Sequence, residues 1–253
     1  MPTPLDPTAG FCFRAAAERF HSQLDWLDSW HSFSFSHHHD PAWMGFGPLR
    51  VINDDTIAAG RGFGMHPHRD MEIITVMVEG ELHHRDSMGH AEVLRAGEVQ
   101  RMSAGTGVVH SEVNGGDRPC RLLQIWIEPS ATGIQPSYDQ QAFPLQVGWT
   151  PLLDPDRRDG ALAIHRSVQL WRTRLEPLAS LPLPSLSGQV WLQMIDGALE
   201  LPWPLQRGDG LGWHATQQPA SMGDSPLKAA AAGADLLLFA LHEEPIRPPG
   251  DVL

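Results

Sequence analysis

The chain has 253 residues, long enough for one large domain or two of ordinary size, and its 42% hydrophobic and 19% charged residues are the composition of a folded soluble protein. A formal charge of −12, from 18 basic and 30 acidic residues with no Lys/Arg stripe, argues against direct binding to nucleic acid. Met1 to Phe20 lacks a basic-then-apolar signal pattern and no unbroken apolar run reaches membrane-spanning length, so no membrane association and a cytoplasmic location are expected.

In chain order, Ala15 to Trp30 has apolar residues at mixed spacing and reads as a small helical cap, and Cys12 and Cys120 read as two free thiols. From about Pro48 the chain becomes a series of short segments rich in Val, Ile, Leu and Met: Leu49 to Asn53, Glu72 to Val78, Glu92 to Leu94, Val99 to Met102, Val108 to Val113 and Arg121 to Ile127. Glycine-containing turns such as Glu79-Gly80, Met88-Gly89 and Ala96-Gly97 separate them at hairpin spacing, which predicts antiparallel β-structure. Glu128 to Pro155 is polar and reads as a connection. The β-pattern resumes at Ala161 to Val168, Gly188 to Met194, Ala198 to Leu201 and Leu236 to His242, with a helical turn expected at Ala229 to Ala232. Two β-domains follow, residues 1–140 and 141–253.

The chemistry concentrates in the first. His66 and His68 are two apart, and in an extended strand such residues point to one face, so both imidazoles converge. His110 and Glu112 repeat that spacing on a second predicted strand, after the turn Ala104-Gly105-Thr106-Gly107. Three ring nitrogens and one carboxylate suit Fe, Mn, Co, Ni, Cu or Zn, and leave open positions on an ion that takes five or six ligands. Pro67 would interrupt a central ladder, so this stretch is expected at an edge or barrel mouth.

Glu72 shares the parity of His66 and His68 and reads as an acceptor for an imidazole N–H, with a fifth ligand or an acid paired with Arg69 or Arg101 as the other readings. His37-His38-His39 reads as a surface loop. Of His83 and His84 at most one can face the site, and solvated positions are expected for both. Met65, Met71, Met77 and Met102 read as core filling, and Trp26, Trp30 and Trp43 lie close enough in sequence to cover a pocket mouth.

Trp30-His-Ser-Phe-Ser-Phe, Met44-Gly-Phe-Gly-Pro-Leu-Arg-Val-Ile-Asn-Asp-Asp55, Met65-His-Pro-His-Arg-Asp-Met-Glu-Ile, His84-Arg-Asp-Ser-Met-Gly89 and the run from Val99 to His110-Ser-Glu112 together resemble the pirin family of the cupin superfamily. The resemblance covers about Trp30 to Pro129. It implies an all-β bicupin, two antiparallel barrels in one chain, with metal in the amino-terminal barrel alone. It places His66, His68, His110 and Glu112 on the family's metal-ligand positions. The carboxyl-terminal half has only the isolated His165, His214 and His242, and is expected to bind no metal.

Bacterial members are associated with quercetin 2,3-dioxygenase activity and eukaryotic relatives with iron-dependent regulation of transcription factors, so the fold alone does not decide the function. The expected activity is cleavage by O2 of quercetin or a similar planar flavonol. One divalent ion, Fe(II) favoured with Ni, Co, Mn, Cu or Zn as the alternatives, would be held by His66, His68, His110 and Glu112, with Glu112 also acting as catalytic base. The alternative is a metal-dependent, redox-sensing regulatory protein that binds a protein partner. A monomer is expected in either case.

Overall fold

A computed structural model describes residues 11–201, 204–217 and 226–248. Almost all regular structure in them is β-strand, with four single-turn 3-10 helices and, among the described residues, no helix long and apolar enough to cross a membrane. The chain forms two compact units.

The first unit comprises residues 20–144, 162–167 and 244–248. A seven-stranded antiparallel sheet runs in the spatial order Ser137–Ala142, Glu98–Ser103, Glu72–Glu79, Cys120–Ile127, Leu49–Ile57, Leu27–His31, Phe20–Gln23. A four-stranded antiparallel sheet runs Gly62–His68, Val108–Val113, Glu81–Asp86, Ala91–Arg95. The facing sides of the two sheets enclose a layered interior. Leu27, Ile57, Met77, Leu82, Leu94 and Leu122 fill one end, and Ile73, Met102 and Val108 join across the other. Between these apolar layers lies a polar one, because alternation along the strands turns Thr75, Gln100, Gln124 and Glu112 inward at the same level. The barrel therefore buries a carboxylate at mid-height, within reach of donors from the opposite sheet.

The second unit takes residues 11–19, 145–161 and 168–243 in their described parts. Its sheet runs Phe11–Arg14, Gly210–His214, Gln189–Leu199, Leu227–Leu241, Val168–Leu175, Thr150–Leu153. The core holds Val190, Leu192, Met194, Leu211, Trp213, Leu236 and Leu238.

This division differs from a single cut at residue 140. Phe11–Arg14 pairs with Gly210–His214, opposing Phe11 to Trp213 and Arg14 to Gly210, so the amino-terminal strand completes the second unit. In return, residues 162–167 and 244–248 pack with the first.

Both expected helical segments are corrected. Ala15 to Trp30 contains one 3-10 turn, Ala16–Glu18, followed by the strands Phe20–Gln23 and Leu27–His31. In the latter, Leu27, Ser29 and His31 are buried alternately, a period of two that polar residues on the inner face had masked. Ala229 to Ala232 lies inside the long strand Leu227–Leu241, whose pairing with Gln189–Leu199 and Ser180–Leu181 overrides the helical preference of alanine. Likewise the expected connection from Glu128 to Pro155 carries two edge strands, Ser137–Ala142 and Thr150–Leu153.

Candidate metal centre

Gly62–His68 is the edge strand of the four-stranded sheet, which accommodates Pro67 without the loss of a central ladder bond. It pairs with Val108–Val113 so that His66 lies directly opposite His110 and His68 opposite Val108. The register then shifts, with Glu112 opposite Phe63: Gly64 and Met65 face Ser111 alone, forming a β-bulge. The bulge turns the Gly64 carbonyl toward His66, whose Nδ1 lies 2.7 Å from it. A proton on Nδ1 satisfies that contact and leaves Nε2 with its lone pair.

Two glycines permit this geometry. A Cβ on Gly62 would stand 2.3 Å from the Glu112 carbonyl oxygen, so only glycine lets the edge strand approach so closely. Gly105, at φ +44, opens the turn into the His110 strand, where a Cβ would meet the Ile134 carbonyl oxygen at 2.0 Å.

His66, His68 and His110 each present a ring nitrogen within 4.8 Å of the others. His66 and His68 are partly exposed, while His110 is fully buried. Burial, reinforced by His110 and His66 and opposed by Glu112, lowers His68 to about 4. Burial, then His66 and His84, lowers His110 to about 3 against the opposing charge of Asp86. Both rings are thus neutral near pH 7, with lone pairs free for a cation. Both ring nitrogens of His110 are buried with no hydrogen-bond partner among the described residues, an arrangement that costs stability unless a ligand meets them. The donor set fits a first-row divalent ion.

Glu112 is 2% exposed and held from the opposite sheet. Thr75 Oγ1 and Gln100 Nε2 donate to its Oε1 at 3.1 and 2.6 Å, and Gln124 Nε2 donates to its Oε2 at 2.7 Å. Three of roughly four lone-pair positions are filled, leaving one on Oε2. The four predicted residues do not form one equidistant cage. Glu112 instead groups with His110 and His84, all three buried, their ligand atoms also within 4.8 Å of one another.

His84 corrects the expectation of a solvated position: it is fully buried and lies opposite Glu112 in the register, while His83 is its outward neighbour. The missed signal was His84-Arg85-Asp86, a histidine and an acid two apart on one strand face. Glu72 is fully buried, but it accepts from Ser103 Oγ at 2.9 Å and lies 3.4 Å from His165 Nδ1, not beside an imidazole of the cluster. Asp70, at φ +47, breaks the strand after His68, so parity does not carry across to Glu72. His165 is correspondingly drawn into the first unit, with its Nδ1 3.0 Å from Ser103 Oγ.

His37 and His39 are exposed, as a surface loop requires. Met77 and Met102 are core, whereas Met65, on the bulge, is 60% exposed. Trp43 is buried in packing, Trp30 stacks on His21, and Trp26 meets Phe63 edge-on. Trp126, unremarked in the sequence, stands edge-on to His68 at 4.9 Å and to Phe35 at 5.4 Å.

Two antiparallel β-units, one enclosing clustered histidines and a buried glutamate, define a double cupin. Comparison with known proteins narrows the class: residues 13–127 match the Pirin family and residues 152–241 the quercetinase C-terminal cupin domain. The chain belongs to the pirin family. It is 49% identical over 186 residues to an Escherichia coli protein named quercetin 2,3-dioxygenase, covering 73% of this chain and 80% of that relative. The crystal structure of the bacterial pirin YhhW from Escherichia coli in complex with nickel(II) superposes with a TM-score of 0.83 at 41% identity, over 93% of this chain and 100% of that one. A quercetin 2,3-dioxygenase from Acinetobacter baumannii, 20% identical with a TM-score of 0.68 over 88% of this chain and 83% of that one, shares the fold.

Proposed function

We propose that this protein is a metal-dependent dioxygenase that cleaves quercetin or a similar flavonol with O2. The observation that carries the reading is the convergence of His66, His68 and the unpartnered His110 beside a carboxylate that keeps one free lone pair. The 49% identical quercetin 2,3-dioxygenase supports the reaction class, and the nickel(II) complex of YhhW supports a divalent ion.

His66, His68, His110 and Glu112 would hold the ion, iron by preference. When bound, it supplies Lewis acidity toward the flavonol 3-hydroxyl and a meeting point for O2. As its hold on the ion loosens, Glu112 Oε2 would take the 3-hydroxyl proton, and Thr75, Gln100 and Gln124 keep its carboxylate aimed and stabilise its charge in the water-poor interior. Trp126, Phe35 and Phe63 offer flat apolar walls beside the imidazoles, suited to a planar aromatic substrate. Atoms balance as flavonol plus O2 giving a depside plus carbon monoxide, the proton on Glu112 returning to the product carboxylate. The protein acts as a monomer.

A substrate comparison tests this assignment. The metal-loaded protein should consume quercetin and leave untouched a flavone that lacks only the 3-hydroxyl. Equal consumption of both, or of neither with any of the six metals, would contradict it.

A further inference from the structure

His84 is absent from the ligand set that the sequence supplies, yet it has the surroundings of a metal ligand. Its Nε2 lies 3.2 Å from Asp86 Oδ2. Asp86 also accepts from His90 Nδ1 at 2.8 Å and from the backbone N–H groups of Met88 and His90 at 2.9 and 3.0 Å. With these four donors turned on it, Asp86 is the acceptor that fixes the proton of His84 on Nε2 and leaves a lone pair on Nδ1. A carboxylate behind an imidazole in this way orients metal-binding histidines.

That Nδ1 is buried with no hydrogen-bond partner among the described residues, as are both ring nitrogens of His110. Glu112 adds a negative charge and the free lone pair on Oε2. The ligand atoms of His84, His110 and Glu112 lie within 4.8 Å of one another, and all three residues are buried. Donors around an ion with bonds of about 2.0–2.2 Å stand at most about 4.4 Å apart, so small side-chain rotations close the cage.

We propose that the barrel carries a second, inner seat for a divalent transition-metal ion, formed by His84, His110 and Glu112, as an alternative to the outer seat in which His66 and His68 join His110 and Glu112. The inference rests on the proposed function only in taking the outer seat as the catalytic one. Both seats draw on His110 and Glu112, so one ion moves between them and the stoichiometry stays at one per chain. The outer seat is reached past the partly exposed His66 and His68. The inner seat lies deeper, its three side chains all buried.

The test is cobalt(II) binding by the full chain, followed by dialysis equilibrium and visible absorption. His66→Ala/His68→Ala alters only partly exposed positions on an edge strand, and His66→Phe/His68→Phe repeats the test with bulk retained there. Each double variant should still bind a single equivalent with a spectrum distinct from wild type, and adding His84→Gln should weaken that binding by 10–100-fold or more. No binding by either double variant, or binding indifferent to His84→Gln, overturns the inner seat. Quercetin turnover by the wild type is read separately. An absent inner seat with normal turnover removes this inference alone, and a present inner seat without turnover removes the dioxygenase reading alone.

Discussion

Gln100 Nε2 donates to Glu112 Oε1 at 2.6 Å, joining a strand of the seven-stranded sheet to one of the four-stranded sheet across the barrel interior. With Gln124 and Thr75 it makes the buried carboxylate a fixed instrument rather than a mobile one. Gln100→Leu should cost about 1–3 kcal/mol of stability in urea unfolding, because Oε1 loses its shorter donor in a dry site. Turnover should fall with it, since the proton acceptor is no longer aimed. Unchanged stability and turnover would mean the bond is incidental.

Glu112→Gln separates holding a metal from moving a proton. The amide keeps an oxygen for the ion but takes no proton, so metal content should be largely retained while kcat falls by about 10²–10⁴-fold. His110→Ala should lose both. Elemental analysis beside steady-state kinetics decides it, and normal turnover in metal-loaded Glu112→Gln would remove the base assignment.

Gly62→Ala should weaken the centre without touching a ligand. The added methyl collides with the Glu112 carbonyl and pushes the edge strand, with His66 and His68, away from His110. About 1–3 kcal/mol of stability and a measurable share of metal affinity should be lost together. Isothermal titration with nickel(II) reads the second, and unchanged affinity would show that the close approach does not set the seat.

A buried acid elsewhere in the barrel gives a pH signature. Burial pushes the Asp55 carboxyl up to about 7, the Ser29 hydroxyl that donates to it opposing and Asp54 and Glu112 adding to the rise. Between about pH 4 and 7 the folded state binds the proton more tightly than the unfolded one. The contribution to stability is therefore full below about pH 4 and lost as pH rises through about 7. Asp55→Asn should remove that slope, so its stability relative to wild type in metal-free urea unfolding should improve by roughly 4 kcal/mol from pH 4 to pH 8. A pH-independent difference would contradict the assignment.

The strand-spaced pairs His66/His68 and His110/Glu112 were legible because a two-residue period states which side chains share a face. That rule holds only while a strand stays regular. It could not foresee the bulge at Gly64 and Met65, which resets the register between His66 and Phe63, or the left-handed Asp70, which detaches Glu72 from the cluster. His84 was lost for a different reason: parity allows either of two adjacent histidines to turn inward, and only pairing with the Glu112 strand decides which. Gln100, Gln124 and Thr75 come from strands of the other sheet, and Phe11–Arg14 closes a sheet with residues about two hundred positions away. Such partners are chosen by tertiary packing, which no local pattern records.

The central claim is that the histidine and glutamate cluster supports oxygenation of a flavonol. The most direct measurement is oxygen uptake on adding quercetin to the metal-loaded protein, with simultaneous detection of carbon monoxide and with metal-stripped protein and free metal as controls. Uptake matched one-to-one by carbon monoxide, and absent from both controls, is the predicted result. Uptake no greater than that of the free metal, with iron, nickel, cobalt, manganese, copper and zinc each tried, would contradict it.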